Sequence, residues 1–95
     1  MDAIKIVEGN NKEHSVKLFA LSTCGWCKKT KKLLGDMDIE YECIDFDLLK
    51  DDEKKDMRDE LKKYNPSVSF PTIIVDSDCV IIGFKKEDIK EALEG

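Results

Sequence analysis

Hydrophobic and polar positions change period several times along the chain, and each change marks an element. Val16-Lys17-Leu18-Phe19-Ala20-Leu21 is an apolar, strand-like run, and Glu40-Tyr41-Glu42-Cys43-Ile44-Asp45-Phe46 alternates with period two. That alternation puts Tyr41, Cys43 and Asp45 on one face of a strand and Ile44 and Phe46 on the other. Pro71-Thr72-Ile73-Ile74-Val75 has the continuous apolar character of a buried strand. Asp76-Ser77-Asp78 is a tight turn, Cys79-Val80-Ile81-Ile82 the antiparallel mate, and Gly83 the end of that hairpin. Ala3 to Glu8 carries β-branched residues and runs into Gly9-Asn10-Asn11, so an N-terminal hairpin with the Val16 strand is expected.

Helical spacing fills the gaps between these strands. Lysines interleave with Leu33 and Leu34 from about Cys24 to Gly35, a glycine stop, with Asp36-Met37-Asp38 as connector. Met57, Leu61 and Tyr64 recur at three- and four-residue steps through the charged segment from Asp51 to Tyr64, which Asn65-Pro66 terminates. Ile89, Ala92 and Leu93 give the segment from Lys85 to Leu93 one apolar face. The order is therefore ββαβαββα: an α/β fold with a mixed central sheet, helices on both faces and an extra N-terminal strand. No repeat, linker or low-complexity tract divides the 95 residues, so residues 1–95 are expected to form one domain around one layered core.

Charge narrows the function. Charged residues make up 39% of the chain and the formal net charge is −5, a balance that disfavours phosphate backbones and hence nucleic acid. No run approaches the roughly 20 apolar residues of a membrane span, and the start Met1-Asp2-Ala3-Ile4-Lys5-Ile6 lacks a secretion signal's apolar block. A cytoplasmic address follows as the expectation. In that reducing compartment the 4 cysteines are expected to be cycling thiols rather than structural bridges.

The chemistry concentrates in Cys24-Gly25-Trp26-Cys27, which follows the Val16 strand and the cap candidates Ser22-Thr23 and opens a helix. A thiolate there faces unpaired backbone N–H groups and the positive end of the helix dipole, so its pKa falls from the ordinary value of about 8.5. Cys24 is then the attacking thiol. Cys27, almost one turn later and deeper, resolves the mixed disulfide. The lysines after Cys27 are expected to add modestly to thiolate stabilisation and to attract acidic partner surfaces. Trp26 at the tip of the motif either offers an apolar contact to a protein partner or folds onto the domain surface. The rival chemistry is a metal or iron–sulfur half-site using Cys43 and Cys79 as well. It lacks a second Cys-x2-Cys pair, and the one histidine, His14, lies in a polar stretch before the strand. Cys43 and Cys79, at strand positions, read as small, buried, inert side chains.

With Cys-x2-Cys at a helix start and Ser69-Phe70-Pro71-Thr72 before a hairpin, the chain resembles the glutaredoxin branch of the thioredoxin superfamily over nearly its full length. The resemblance implies a thioredoxin-like fold and a dithiol–disulfide oxidoreductase with no bound cofactor or metal. It also implies a cis bond before Pro71, with the backbone of Phe70 pairing with an incoming peptide or glutathione. Cationic contacts would come from Lys28 and Lys31. The family's Cys-Pro-Tyr-Cys is replaced by Gly25 and Trp26 between the thiols, and its Gly-Gly-x-x-Asp turn by Ile82-Gly83-Phe84-Lys85-Lys86. Gly83-Phe84-Lys85 looks more like the Gly-Phe-Arg of NrdH-type redoxins, which are reduced by an enzyme rather than by glutathione. The partners so implied are disulfide-containing proteins, such as ribonucleotide reductase or peroxiredoxin, and an upstream disulfide reductase, served by a monomer. Some glutaredoxins carry iron–sulfur clusters, the alternative function, but those relatives generally resemble Cys-Gly-Phe-Ser and keep one cysteine.

Overall fold

A computed structural model describes residues 3–94 of the chain. Its elements are β1 (Ile4–Val7), β2 (Val16–Ala20), α1 (Gly25–Asp36), β3 (Tyr41–Asp45), α2 (Asp51–Tyr64), β4 (Thr72–Val75), β5 (Cys79–Ile82) and α3 (Lys86–Glu94), with one 3₁₀ turn at Phe46–Leu48. The strands form one five-stranded sheet in the order β1-β3-β2-β4-β5. β2 and β3 are parallel, as a strand–helix–strand crossover requires, and the other neighbouring pairs are antiparallel. This is the thioredoxin-like α/β arrangement that the pattern and the resemblance imply.

The period-two pattern sorts the two faces as read. Leu18, Ala20, Tyr41, Cys43, Ile73 and Val75 enter one core with Leu33 and Leu34 of α1 and Ile89 and Leu93 of α3. Phe19, Ile44, Phe46 and Ile74 enter the other with Leu61 of α2, against which Met57 and Tyr64 also pack. Fully burying each such aliphatic or aromatic side chain contributes roughly 1.5–3 kcal/mol. α2 starts and stops where the charges direct. Asp51, Asp52 and Glu53 occupy its first turn and Lys62 and Lys63 its last, each sign favoured by the helix dipole at its own end.

Three expectations are corrected. β1 does not form a hairpin with β2; it pairs antiparallel with β3, Ile4 opposite Ile44 and Val7 opposite Tyr41. Both edges of β2 are taken by β3 and β4, so the long segment after β1 carries the chain across the sheet. That segment docks on the loop after α1, where Asn11 N–H donates to Asp38 O (2.9 Å) and Glu40 N–H to Asn11 O (3.0 Å). A Cβ at Gly9 would stand 2.6 Å from Asp38 O, so only glycine permits this approach. Second, α1 runs past Gly35 to Asp36. The left-handed residue that ends it is Asp38 (φ 56°), a conformation the short polar side chain tolerates. Third, Cys43 is buried as expected, but Cys79, at the start of edge strand β5, is exposed.

Candidate active site

The end of β2, the start of β4 and the end of β5 meet at one edge of the molecule. Asp45 of β3 lies opposite Ala20, Thr72 opposite Phe19 and Ile82 opposite Thr72. The next residues in the chain, Leu21 to Cys24, Pro71 and Gly83, are thereby collected at the same end. The Phe70-Pro71 peptide is cis and Gly83 has φ 84°, a left-handed value that favours glycine. Gly83 N–H donates to Pro71 O at 2.8 Å and ties the two loops together.

Cys24 is its own helix cap. The sequence points to Ser22-Thr23 for that role, but Cys24 takes the extended N-cap conformation (φ −80°, ψ 123°), and its sulfur accepts the Cys27 N–H at 3.3 Å. Its carbonyl accepts the first helical bond from Lys28 N–H (3.0 Å). Ser22 is engaged elsewhere. Its N–H (2.8 Å) and Oγ (2.5 Å) both donate to Asp47, which pins the approach to the thiols.

The two thiols differ in access and in acidity. Cys24 is partly exposed and Cys27 buried, its sulfur accepting Leu21 N–H at 3.5 Å. The hydrogen bond from the Cys27 thiol, then the backbone N–H groups of Cys27 and Trp26, and then the charge on Lys31 lower the Cys24 pKa against the opposing effect of burial. Burial, followed by the interaction with Cys24, pushes Cys27 up to about 12. The accessible thiol is therefore the more acidic of the two, and its neighbour keeps its proton. In a Cys79→Ser background, which removes the other exposed thiol, alkylation of the reduced protein by iodoacetamide across pH should follow a single ionisation below that of free cysteine. Because the largest lowering contribution is the Cys27 thiol, Cys27→Ala should shift that profile to higher pH and slow the reaction at pH 7. An unmoved profile would assign the acidity to the helix cap and Lys31 alone.

Of the candidate lysines, Lys31 rather than Lys28 is brought beneath the site. Its ammonium lies 2.9 Å from Oδ1 of the buried Asp45. Burial is the largest single effect and works against its charge, but the Asp45 hydrogen bond and the surrounding negative groups together outweigh it and raise its pKa above the ordinary lysine value. Lys28 stays exposed on the outside of α1. Trp26 stays at the surface and also packs on a neighbour. It is 58% exposed, yet its ring stacks on Phe84 with centroids 6.0 Å apart and planes inclined by 27°. Phe70 is partly buried against both cores and its ring meets Phe46 at 5.5 Å.

The pattern of the sequence marks Asn65 only as a helix stop, yet this residue holds the site. Asn65 is 1% exposed; its Nδ2 donates to Ser69 Oγ and Thr72 Oγ1, both at 3.0 Å, and its side-chain oxygen accepts Ser67 N–H at 3.1 Å. The Pro71 loop hangs on this amide. The polar spacing Asn65, Ser69, Thr72 around the proline is the available signal. Among the described residues no three His, Cys, Asp or Glu side chains gather to hold a metal ion, and no helix is long and apolar enough to cross a membrane.

Comparison with known proteins agrees with this geometry. Residues 16–80 match the family model described as Glutaredoxin. A glutaredoxin-like 8.6 kDa protein in the rubredoxin operon of Clostridium pasteurianum is 33% identical over 79 residues, covering 83% of this chain and 97% of that protein. The crystal structure of a glutaredoxin from Methanosarcina mazei Go1 superposes with TM-score 0.89 at 40% identity, over 99% of this chain and 90% of that one. Methanosarcina acetivorans methanoredoxin gives 0.82 at 46% identity, over 85% of each chain. A partly exposed, acidified thiol backed by a buried one thus occurs in the setting where that chemistry is known: the chain is a thiol–disulfide oxidoreductase and belongs to the glutaredoxin family.

Proposed function

We propose that the protein reduces protein disulfides through a reversible Cys24–Cys27 disulfide and that a dedicated reductase, rather than glutathione, restores the thiols. The observation that carries the first half is the asymmetry of the pair, a lowered pKa on the accessible sulfur and a pKa of about 12 on the buried one. The Cys24 thiolate attacks one sulfur of the substrate disulfide, that bond breaks, and the first substrate thiolate leaves. Once Cys24 is bonded, its hydrogen bond and charge no longer hold the proton on Cys27. Cys27 then loses that proton to solvent and its thiolate attacks the Cys24 sulfur, the mixed disulfide breaks, and the second substrate thiolate departs and takes up a proton in turn. Two electrons have passed to the substrate and one disulfide remains in the protein.

The second half rests on the turn after β5. A glutathione site needs an acid near the turn to hold the tripeptide's ammonium group. The turn here leads from Gly83 through Lys85 to Lys86 at the head of α3, both lysines exposed, and the first acids, Glu87 and Asp88, follow slightly late. The Gly-Phe-Lys sequence supports the NrdH-like mode of recycling, with disulfide proteins such as ribonucleotide reductase or peroxiredoxin as substrates. The reading is completed by a monomeric single domain acting in the cytoplasm, with Trp26, Phe70, Pro71 and Phe84 lining the approach to Cys24.

The test offers the oxidised protein millimolar glutathione, a flavin-dependent reductase with NADPH, or a ferredoxin-linked reductase, and counts the thiols regained. One of the two enzymes should restore both thiols at least about tenfold faster than glutathione, the factor expected for one missing charged contact. Complete reduction by glutathione with failure of both enzymes would overturn the recycling route.

A further inference from the structure

A cluster of lysines follows the thiols on α1 although the net charge of the chain is −5. Next to the exposed Trp26 and its partner Phe84, a groove of about 280 Å³ is lined by Lys29, Lys32, Leu33, Asp36, Phe84 and Lys86. Lys29 Nζ lies 4.5 Å from the centroid of the Trp26 ring, close enough for a cation–π contact. The one acid in the groove, Asp36, pairs with Lys32 at 3.1 Å. Lys28 and Lys85 add exposed charge at the borders. The acids that dominate the total lie elsewhere. α2, on the opposite face of the sheet, sets Asp51, Asp52, Glu53, Asp56, Asp59 and Glu60 against Lys54, Lys55, Arg58, Lys62 and Lys63 and is nearly balanced, so most of the excess acid lies in the other strands and loops. Asp88 and Glu91 of α3 line a separate groove with Cys79. The exposed Glu87 is the remaining acid in the first turn of α3.

We infer that this face docks a protein segment in which acidic residues and one apolar side chain flank the target disulfide. The apolar residue covers the Trp26–Phe84 pair, and the carboxylates meet Lys29, Lys32 and Lys86. The occupant follows from charge complementarity around an aromatic platform that starts two residues from Cys24. A long polyanion would run from this face onto the acidic remainder of the molecule and be repelled, whereas a short acidic segment meets the basic face alone. The inference rests on the thiol chemistry proposed above.

The experiment measures the second-order rate at which pre-reduced protein reduces two synthetic peptides. Both have the same disulfide loop and one Phe, flanked by Asp and Glu in one and by Lys in the other. Each rate is divided by that peptide's rate with dithiothreitol, and hydroxyethyl disulfide, which is uncharged, is the reference substrate for every variant. The acidic peptide should react about tenfold faster than the basic one at low ionic strength, and the preference should shrink severalfold at high salt. In the triple variant Lys29→Glu, Lys32→Glu, Lys86→Glu, the preference should reverse relative to the variant's own hydroxyethyl disulfide rate. Equal rates for the two peptides, or a preference that survives the triple variant, would overturn the docking inference. So would an equal loss on oxidised glutathione, which would place a small thiol on this face. In those cases continued reduction of hydroxyethyl disulfide leaves the thiol chemistry standing, whereas its absence in the wild type would overturn that chemistry instead.

Discussion

Cys24→Ser should lower disulfide reduction by on the order of 10³-fold or more, whereas Cys27→Ser should stop after one chemical step and hold its substrate covalently. The difference follows from position. Cys24 presents the accessible sulfur at the helix N-terminus, and a serine hydroxyl there stays protonated and is a weak nucleophile. Cys27 is buried and receives the Leu21 N–H, so it meets the substrate only through Cys24. Without its sulfur, the bond between Cys24 and the substrate has no internal attacker. Mass spectrometry of the Cys27→Ser protein after one equivalent of disulfide peptide should show a single adduct that reductant releases. Turnover by Cys24→Ser at a rate near wild type would remove this mechanism altogether.

The second large effect is expected away from the sulfurs. Asn65→Ala should destabilise the protein by about 2–4 kcal/mol, because three side-chain hydrogen bonds disappear at a buried position and a small void replaces the amide. For a domain of this size that loss corresponds to a melting temperature lower by roughly 10–25 °C. The backbone bonds Asn65 N–H to Leu61 O (2.7 Å) and Val68 N–H to Asn65 O (3.0 Å) survive in the variant. The side-chain bonds that position Ser67, Ser69 and Thr72 do not. Val68 feels this most, since it sits at φ 49°, an unfavourable conformation for a β-branched residue that only its surroundings maintain. Ser69→Ala removes one of the three bonds and should cost about 1 kcal/mol. Melting of Asn65→Ala within a degree or two of wild type would show that the loop is held by packing alone.

Local pattern specifies much of this fold. α2 begins at Asp51 and ends at Tyr64 as its charges and Asn65-Pro66 direct. The alternation in β3 sends Tyr41 and Cys43 to one core and Ile44 and Phe46 to the other. The site is legible to the extent that two thiols at a helix start declare their chemistry. What stays hidden involves partners far apart in the chain. The Cys24 sulfur displaces Ser22-Thr23 as cap because Asp47, 25 residues away, claims Ser22. Lys31 becomes the relevant cation because Asp45, 14 residues on, holds its ammonium. A helical periodicity identifies Lys31 as one polar residue among several and says nothing of which one lies over a buried carboxylate.

By itself the amino-acid sequence determined which face of each strand and helix is apolar, the order ββαβαββα and the presence of a dithiol. Each of these depends on residues within a turn or two of one another. Tertiary structure alone decided that β1 lies beside β3, that Cys79 is exposed while Cys43 is sealed, that the Asn65 amide supports the proline loop, and that lysines and Trp26 form one face beside the thiols. Period two specifies the face of a strand and not the edge it joins, and the acidity of a thiol depends on groups that only folding brings within a few ångströms of it.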